Sequence, residues 1–145
     1  MTAPTEATPT QGSLKAFSAL VGATTVAIFL QAVIAGEFVS QRHRGGWIDV
    51  HSIVADVVDV LALATMVFVI VKLRTASRVL LWGSVILLVL VIVQTFIGHL
   101  ITDANQDWLI GIHVPLAFII FAIAIWLPVR AVTLRRSLAR EAQAV

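Results

Sequence analysis

Four long runs of apolar residues dominate the chain, and few polar side chains interrupt them. The runs cover approximately residues 16–37, 48–71, 79–101 and 109–129. Each holds about 22 residues, which at ~1.5 Å per helical residue spans the ~30 Å hydrocarbon core of a bilayer. Period-two alternation of polar and apolar residues is absent, which argues against a transmembrane β-barrel. The pattern therefore predicts an all-α bundle of four transmembrane helices.

The composition agrees with an integral membrane protein whose main partner is the lipid bilayer. Of the 145 residues, 59% are hydrophobic and 12% are charged, and the mean hydropathy is +0.99. A soluble domain of this size needs far more polar surface. The chain has no cysteine, which excludes disulfides, thiolate metal sites and a covalently attached c-type haem. No phosphate-binding glycine loop or nucleic-acid signature is present, so nucleic acid is not an expected partner.

The basic residues explain the sequence pI of about 9.9 and predict the orientation of the helices. Arg42 and Arg44 lie between the first and second runs. The other eight of the ten basic residues fall before the first run, between the second and third, or after the fourth: Lys15, Lys72, Arg74, Arg78, Arg130, Arg135, Arg136 and Arg140. By the positive-inside rule, both termini lie in the cytoplasm, as in a bacterial-type plasma membrane.

Three segments follow from these assignments. Residues 1–14 are rich in threonine and proline and are predicted to be a disordered tail. Residues 15–136 form the four-helix transmembrane domain, and residues 137–145 form a cytoplasmic C-terminal tail. An alternative is that the first run is a cleaved signal peptide, but Lys15 is the one basic residue before it and the run is long for such a segment.

The two halves of the chain resemble each other when one is shifted by 62 residues. The shift aligns Gly36 with Gly98 and His51 with His113, and it aligns two pairs of arginines after them. Matches among rare polar residues are more informative than matches of valine with isoleucine. We expect a tandem duplication of a helical hairpin, with the two hairpins related by an axis along the membrane normal. Equivalent residues such as His51 and His113 would then face each other across the bundle.

The histidine pair suggests a bound haem. Placing the membrane midplane at the centre of each run puts His51 ~13 Å and His113 ~10 Å from it, both toward the outer face. Imidazole nitrogen is an axial ligand of haem iron, and helical bundles build such sites from facing helices. We therefore predict a b-type haem ligated by both histidines, with Arg42 and Arg44 near its propionates. The alternatives are histidines that bond loop carbonyls, solvated loop arginines, and a zinc site, although no short-spaced zinc motif occurs.

A further set of polar residues lies within or at the ends of the apolar runs: Gln31, Glu37, Asp56, Asp59, Gln94 and His99. A charge near the membrane centre costs ~2.5–3.5 kcal/mol, so such residues should face protein and have partners. Two interpretations stay open. The set forms a proton path, or its members are structural, with the glutamines hydrogen-bonding between helices.

The sequences "VHSIVAD", "IHVPLAF" and "VQTFIGHL" resemble one four-helix half of haem A synthase. The resemblance extends from about Val26 to Trp126, and it implies that His51 and His113 correspond to the paired haem ligands of that half. The glutamate that precedes the first ligand in that family is Ile48 here, and the arginine that follows the ligand is Ser52. The family's glycine-rich motif and outer-loop cysteines are also missing. The resemblance therefore implies the fold and haem binding, not the oxidation of haem O.

The leading interpretation is a membrane protein that binds one haem b and serves electron transfer or haem handling. It is not expected to be an enzyme by itself, and it would require a redox protein, a haem-delivery protein or a quinone as partner. The first alternative is a cofactor-free accessory subunit or oligomer within a larger membrane complex. The second is a small proton-coupled carrier that uses Asp56 and Asp59.

Overall fold

The computed structural model of the protein describes residues 10–40 and 45–144 and consists of long helices. These are α1 (Gln11–Ser40), α2 (Gly45–Lys72), α3 (Arg78–Thr102) and α4 (Ile110–Gln143), with a short 3-10 turn at Asp107–Leu109 before α4. All four helices are long and apolar enough to cross a membrane. This result confirms the prediction of four transmembrane helices.

Two helices extend beyond the predicted runs. α1 begins at Gln11, where the Thr10 hydroxyl accepts a hydrogen bond from the Ser13 backbone N–H at 3.1 Å, as in an N-terminal cap. Leu14 is completely buried, so the disordered tail predicted for residues 1–14 ends earlier than expected. Residues 1–9 lie outside the described part of the chain. α4 continues to Gln143, which places most of the predicted C-terminal tail in helix.

Local side-chain chemistry defines the connection between α2 and α3. Leu73 is completely buried, and its carbonyl accepts the backbone N–H groups of both Ala76 and Ser77. Ser77 then caps α3, because its hydroxyl accepts the Leu80 N–H at 3.2 Å. Before α4, Asn105 adopts a left-handed conformation with φ of 54°, which asparagine tolerates better than most residues. Short connections of this kind place successive helices antiparallel.

Each helix packs against its neighbours in the chain, and α4 packs against α1. Within the described residues, α1 does not approach α3 closely and α2 does not approach α4, so these pairs are diagonal. Gln11 Nε2 donates to the Arg135 carbonyl at 3.1 Å, which brings the start of α1 to the end of α4. We call this end, with the α2–α3 turn, the basic end. The opposite end, which contains His51, His99 and His113, is the histidine end.

The contact between α1 and α4 includes a hydrogen bond that the sequence of α4 makes necessary. Pro128 lies inside α4 and has no backbone N–H, so the Ala124 carbonyl lacks its usual donor four residues later. The Thr25 hydroxyl of α1 donates to that carbonyl at 3.0 Å, while also lying 2.9 Å from the Val21 carbonyl. The Thr25 hydroxyl of α1 thus donates a hydrogen bond to a carbonyl of α4 that Pro128 leaves without its usual donor.

The buried core occupies the half of the bundle toward the basic end. On the four helices it reaches from that end to Ile28, Val58, Val91 and Ile120. These residues lie near the middle of the helices, within ~3 Å of the expected midplane. Toward the histidine end, Leu109 is the one further buried residue among those described. The two halves of the bundle are therefore packed differently.

The packed half brings α3 and α4 close together. A Cβ atom added at Gly83 would lie 2.7 Å from Leu127 Cδ2 and 3.3 Å from Trp126 Cζ3. Both Gly83 and Leu127 are buried, so any larger residue at position 83 would force the Leu127 side chain to shift. No corresponding constraint exists at Gly36 near the histidine end, where an added Cβ would meet nothing within 4 Å.

Candidate functional site

His51 and His113 lie on diagonal helices in the half of the bundle that lacks a buried core. Each is seven residues, or about two helical turns, beyond the last core residue of its helix, Val58 on α2 and Ile120 on α4. Both side chains are half-buried, and their imidazole rings are close enough to interact electrostatically. The bundle therefore brings the two histidines toward each other across its interior, at the same level.

Each histidine is contacted by a glutamine of the preceding helix. Gln94 Nε2 on α3 donates to the backbone carbonyl of His113 at 3.0 Å. The His51 ring forms a hydrogen bond with the backbone of Gln31 on α1. Gly98, one turn beyond Gln94, leaves room for the second ring, since an added Cβ would lie 3.4 Å from His113 Cε1. Both hairpins thus place a glutamine of the odd helix against a histidine of the even one.

Several buried polar atoms at this level have no hydrogen-bond partner among the described residues. They are the Oε1 atoms of Gln31 and Gln94 and the Nδ1 atom of His113. A buried polar atom without a partner costs roughly 1–3 kcal/mol, so native proteins nearly always satisfy such atoms. Among the described residues, the histidine half of the bundle therefore has few fully buried side chains and an incomplete set of polar partners.

This arrangement suits a flat cofactor with a central metal ion. Two imidazoles from opposite helices are a complete axial ligand set for haem iron, and helical bundles hold such groups between facing helices. Within the described ranges, no group of three or more histidine or acidic side chains gathers to hold a metal ion. A zinc site with three or four protein ligands has no support in that part of the chain.

The seam between α2 and α3 carries a separate group of polar residues. Thr95 Oγ1 of α3 donates to Asp59 Oδ1 of α2 at 3.3 Å. His99 Nδ1 donates to the Thr95 carbonyl at 2.9 Å, and Asp56 and His99 both interact electrostatically with Asp59. Asp59 is half-buried, whereas Asp56 and His99 are exposed on the surface of the bundle. Thr95, which sequence reasoning missed, is the partner of Asp59.

The six residues of the predicted polar set occupy three places. Gln31 and Gln94 lie beside the histidine pair, while Asp56, Asp59 and His99 lie at the α2–α3 seam. Glu37 is half-buried on α1, which is diagonal to α3 and hence to His99. A proton path that uses all six residues stays a prediction. The pairing of Arg42 and Arg44 with propionates also stays a prediction, because both arginines lie outside the described residues.

Removing the Thr95 hydroxyl is expected to weaken the α2–α3 seam. Thr95→Val keeps the shape of the side chain but deletes the donor to Asp59, and we expect a loss of ~0.6 kcal/mol in the free energy of unfolding, typical of interhelical hydrogen bonds in membranes. Unfolding in mixed micelles, followed by circular dichroism, measures the change. Thr102→Val is the matched control, because the exposed Thr102 hydroxyl bonds locally to Gly98 and Asp103. An equal loss in both variants would contradict the seam as a stabilising contact.

Comparisons of the chain with models of protein families, with curated proteins and with solved structures found no match. The functional interpretation therefore depends on the geometry described above. Its main elements are the diagonal histidine pair, the glutamine beside each histidine and the unequal packing of the two halves.

Proposed function

We propose that the protein is an integral membrane b-type haem-binding protein in which His51 and His113 are the axial ligands. The observation that carries the proposal is the position of these two half-buried imidazoles on diagonal helices, at the same level of the half of the bundle without a buried core. A haem there would lie between the helices, among side chains that are not fully buried. The buried polar atoms of Gln31 and Gln94 would border its site.

The repeat predicted from the sequence supports the proposal. The 62-residue shift that aligns His51 with His113 also aligns Gly36 with Gly98, while Gln31 and Gln94 miss alignment by one residue. Two copies of one hairpin, related by an axis along the membrane normal, supply two equivalent ligands to a central group. The sequence resemblance to one half of haem A synthase also supports haem binding.

The biological role that fits one such haem is electron transfer or haem handling, without a reaction catalysed by this chain alone. With the basic end in the cytoplasm, the haem lies toward the outer leaflet. One haem on one side of the bilayer does not carry electrons across it, so a quinone or a redox protein would complete the transfer. A haem-delivery protein is the corresponding partner if the role is haem handling.

An absorption spectrum tests the proposal. The protein is produced in cells supplied with haem, purified in detergent and measured before and after reduction with dithionite. We expect a Soret band, with sharp α and β bands after reduction, as for a six-coordinate haem with two histidine ligands. A folded, colourless protein that also fails to bind added haemin would show that the proposal is wrong.

A second candidate function is an accessory subunit of a larger membrane complex, and Asp56 favours it. This side chain is exposed about one turn from Asp59, at a depth where lipid cannot hydrogen-bond a carboxyl group. A helix of another protein with a hydrogen-bond donor at that depth would satisfy it. Co-purification of such a protein with the wild-type chain, lost in Asp56→Leu and retained in the lipid-facing control Val60→Leu, would support this function.

A further inference from the structure

A second candidate site lies at the basic end, between the start of α3 and the last third of α4. It is a cavity of about 160 Å³, far more than the roughly 10–15 Å³ that one water molecule needs. The lining residues that matter here are Ser77 and Val79 of the α3 start and Arg130, Thr133, Leu134 and Ser137 of α4. The cavity has no connection with the histidine pair, which lies in the other half of the bundle.

The cavity lies at the depth of lipid headgroups. Arg130 is ten residues beyond Ile120, which places it ~15 Å from the middle of the span, where the hydrocarbon ends. Val79 and Leu134 give the cavity an apolar wall that continues into the lipid-facing surface, and Val79 is exposed there. A ligand in this position can therefore hold a polar group in the cavity and an apolar chain along the helices.

Arg130 supplies the charged contact. Its guanidinium lies 5.9 Å from the centre of the Trp126 ring, a cation–π contact that positions it. Guanidinium donates two parallel hydrogen bonds to phosphate oxygens. The surrounding basic end carries further positive charge on Arg74, Arg78, Arg135, Arg136 and Arg140, against Glu141 as the one acidic residue described there. The site therefore favours an anion.

The hydroxyl groups of the cavity narrow the choice of ligand. The Thr133 and Ser137 hydroxyls donate to the carbonyls of Val129 and Leu134, and the Ser77 hydroxyl accepts the Leu80 N–H. The Thr133 and Ser137 hydroxyls thus already donate their hydrogens to backbone carbonyls, but their oxygen atoms can still accept hydrogen bonds. They suit a headgroup that donates hydrogen bonds, such as a glycerol hydroxyl, beside the phosphate on Arg130.

We propose that this cavity binds an anionic glycerophospholipid, with Arg130 holding its phosphate and the apolar wall holding the start of an acyl chain. Basic pockets between transmembrane helices bind the headgroups of anionic lipids in the same way. The proposal is independent of haem binding, since it concerns the opposite end of the bundle.

Quenching of tryptophan fluorescence by brominated lipid tests the proposal, because Trp126 lies beside Arg130. The full-length protein with Trp47, Trp82 and Trp108 replaced by phenylalanine, which leaves Trp126 as the one fluorophore, is titrated in neutral detergent with brominated phosphatidylglycerol or brominated phosphatidylcholine. We expect saturable quenching by phosphatidylglycerol, and an apparent Kd about tenfold weaker in Arg130→Gln, as for the loss of a charge-assisted contact. Arg136→Gln is the matched control, since it removes the same charge from an exposed position outside the cavity and should weaken the Kd far less than Arg130→Gln does.

Two further arms separate a lipid site from general attraction to the basic end. Leu134→Phe narrows the cavity without changing charge or adding a tryptophan and should also weaken phosphatidylglycerol binding, with folding checked by circular dichroism. Excess inorganic phosphate should not displace the brominated lipid. An equal loss of affinity in Arg130→Gln and Arg136→Gln would overturn the proposal in favour of non-specific attraction, and an unchanged affinity in Arg130→Gln would exclude Arg130 as the phosphate contact. Displacement by phosphate alone would overturn it in favour of a free-anion site.

Discussion

Replacing either His51 or His113 by alanine is expected to reduce haem content to about a tenth or less of the wild-type value. Loss of groups that merely support a metal ligand typically lowers affinity by roughly 10–100-fold, and loss of the ligand itself should be at least as damaging. Because the two histidines lie on diagonal helices, neither histidine can take the place of the other as a ligand. Pyridine haemochrome absorbance per mole of purified protein measures the change.

His99→Ala is the matched control for both variants. His99 belongs to the same end of the bundle, but its ring is exposed and bonds to the Thr95 carbonyl at the α2–α3 seam. We expect His99→Ala to retain the wild-type spectrum and haem content. A residual five-coordinate haem in His51→Ala that becomes six-coordinate on addition of imidazole would further support direct ligation. Unchanged spectra in both His51→Ala and His113→Ala would show that the ligands lie elsewhere.

The sequence predicts the four spans well because the thickness of the bilayer sets their length. It predicts the ends of the helices less well, for reasons visible in α1 and α4. Leu14 is buried by tertiary packing that hydropathy does not register, and this packing draws Gln11–Leu14 into helix. Beyond Val129, α4 continues through a segment rich in arginine and alanine, which are strong helix formers outside the membrane as well.

The candidate site is predictable in part. Histidines at matching positions of a repeat can be found in the sequence, and their level in the membrane follows from the rise of a helix. Their interaction across the bundle depends on α2 and α4 being diagonal, which hydropathy alone does not determine. The sequence also does not identify the partner of Asp59. Threonines such as Thr95 are common in membrane helices, and the hydrogen bond to Asp59 can be found only when the contact between α2 and α3 is known.

The unequal packing of the two halves connects fold to function. A continuous core from Leu14 to Ile28 on α1, with its counterparts on the other helices, holds the bundle together at the basic end. The fold therefore does not depend on a buried core at the histidine end. We infer that the packed half acts as the support and the histidine half as the binding region, so variants in the core and in the site should have separable effects on stability and haem content.

Thr25→Val should test that separation, with an expected loss of about 1 kcal/mol in the free energy of unfolding. The variant keeps the shape of the side chain but removes the donor to the Ala124 carbonyl, which Pro128 already leaves without its intrahelical donor. The expected value lies between the ~0.6 kcal/mol average for interhelical hydrogen bonds in membranes and the ~1–3 kcal/mol cost of an unsatisfied buried acceptor. Unfolding in mixed micelles measures the loss, and haem content per folded protein should stay unchanged.

The neighbouring threonine and the proline supply the controls. Thr24 is completely buried, but its hydroxyl bonds to the Leu20 carbonyl of its own helix, so Thr24→Val should change the free energy of unfolding much less. Pro128→Ala restores an N–H group four residues after Ala124, and in that background Thr25→Val should have little effect. Independent, additive effects of Thr25→Val and Pro128→Ala would contradict the proposed link between the proline and the threonine. Non-additivity in the expected direction would establish that α1 stabilises α4 at the point where its own hydrogen bonding is interrupted.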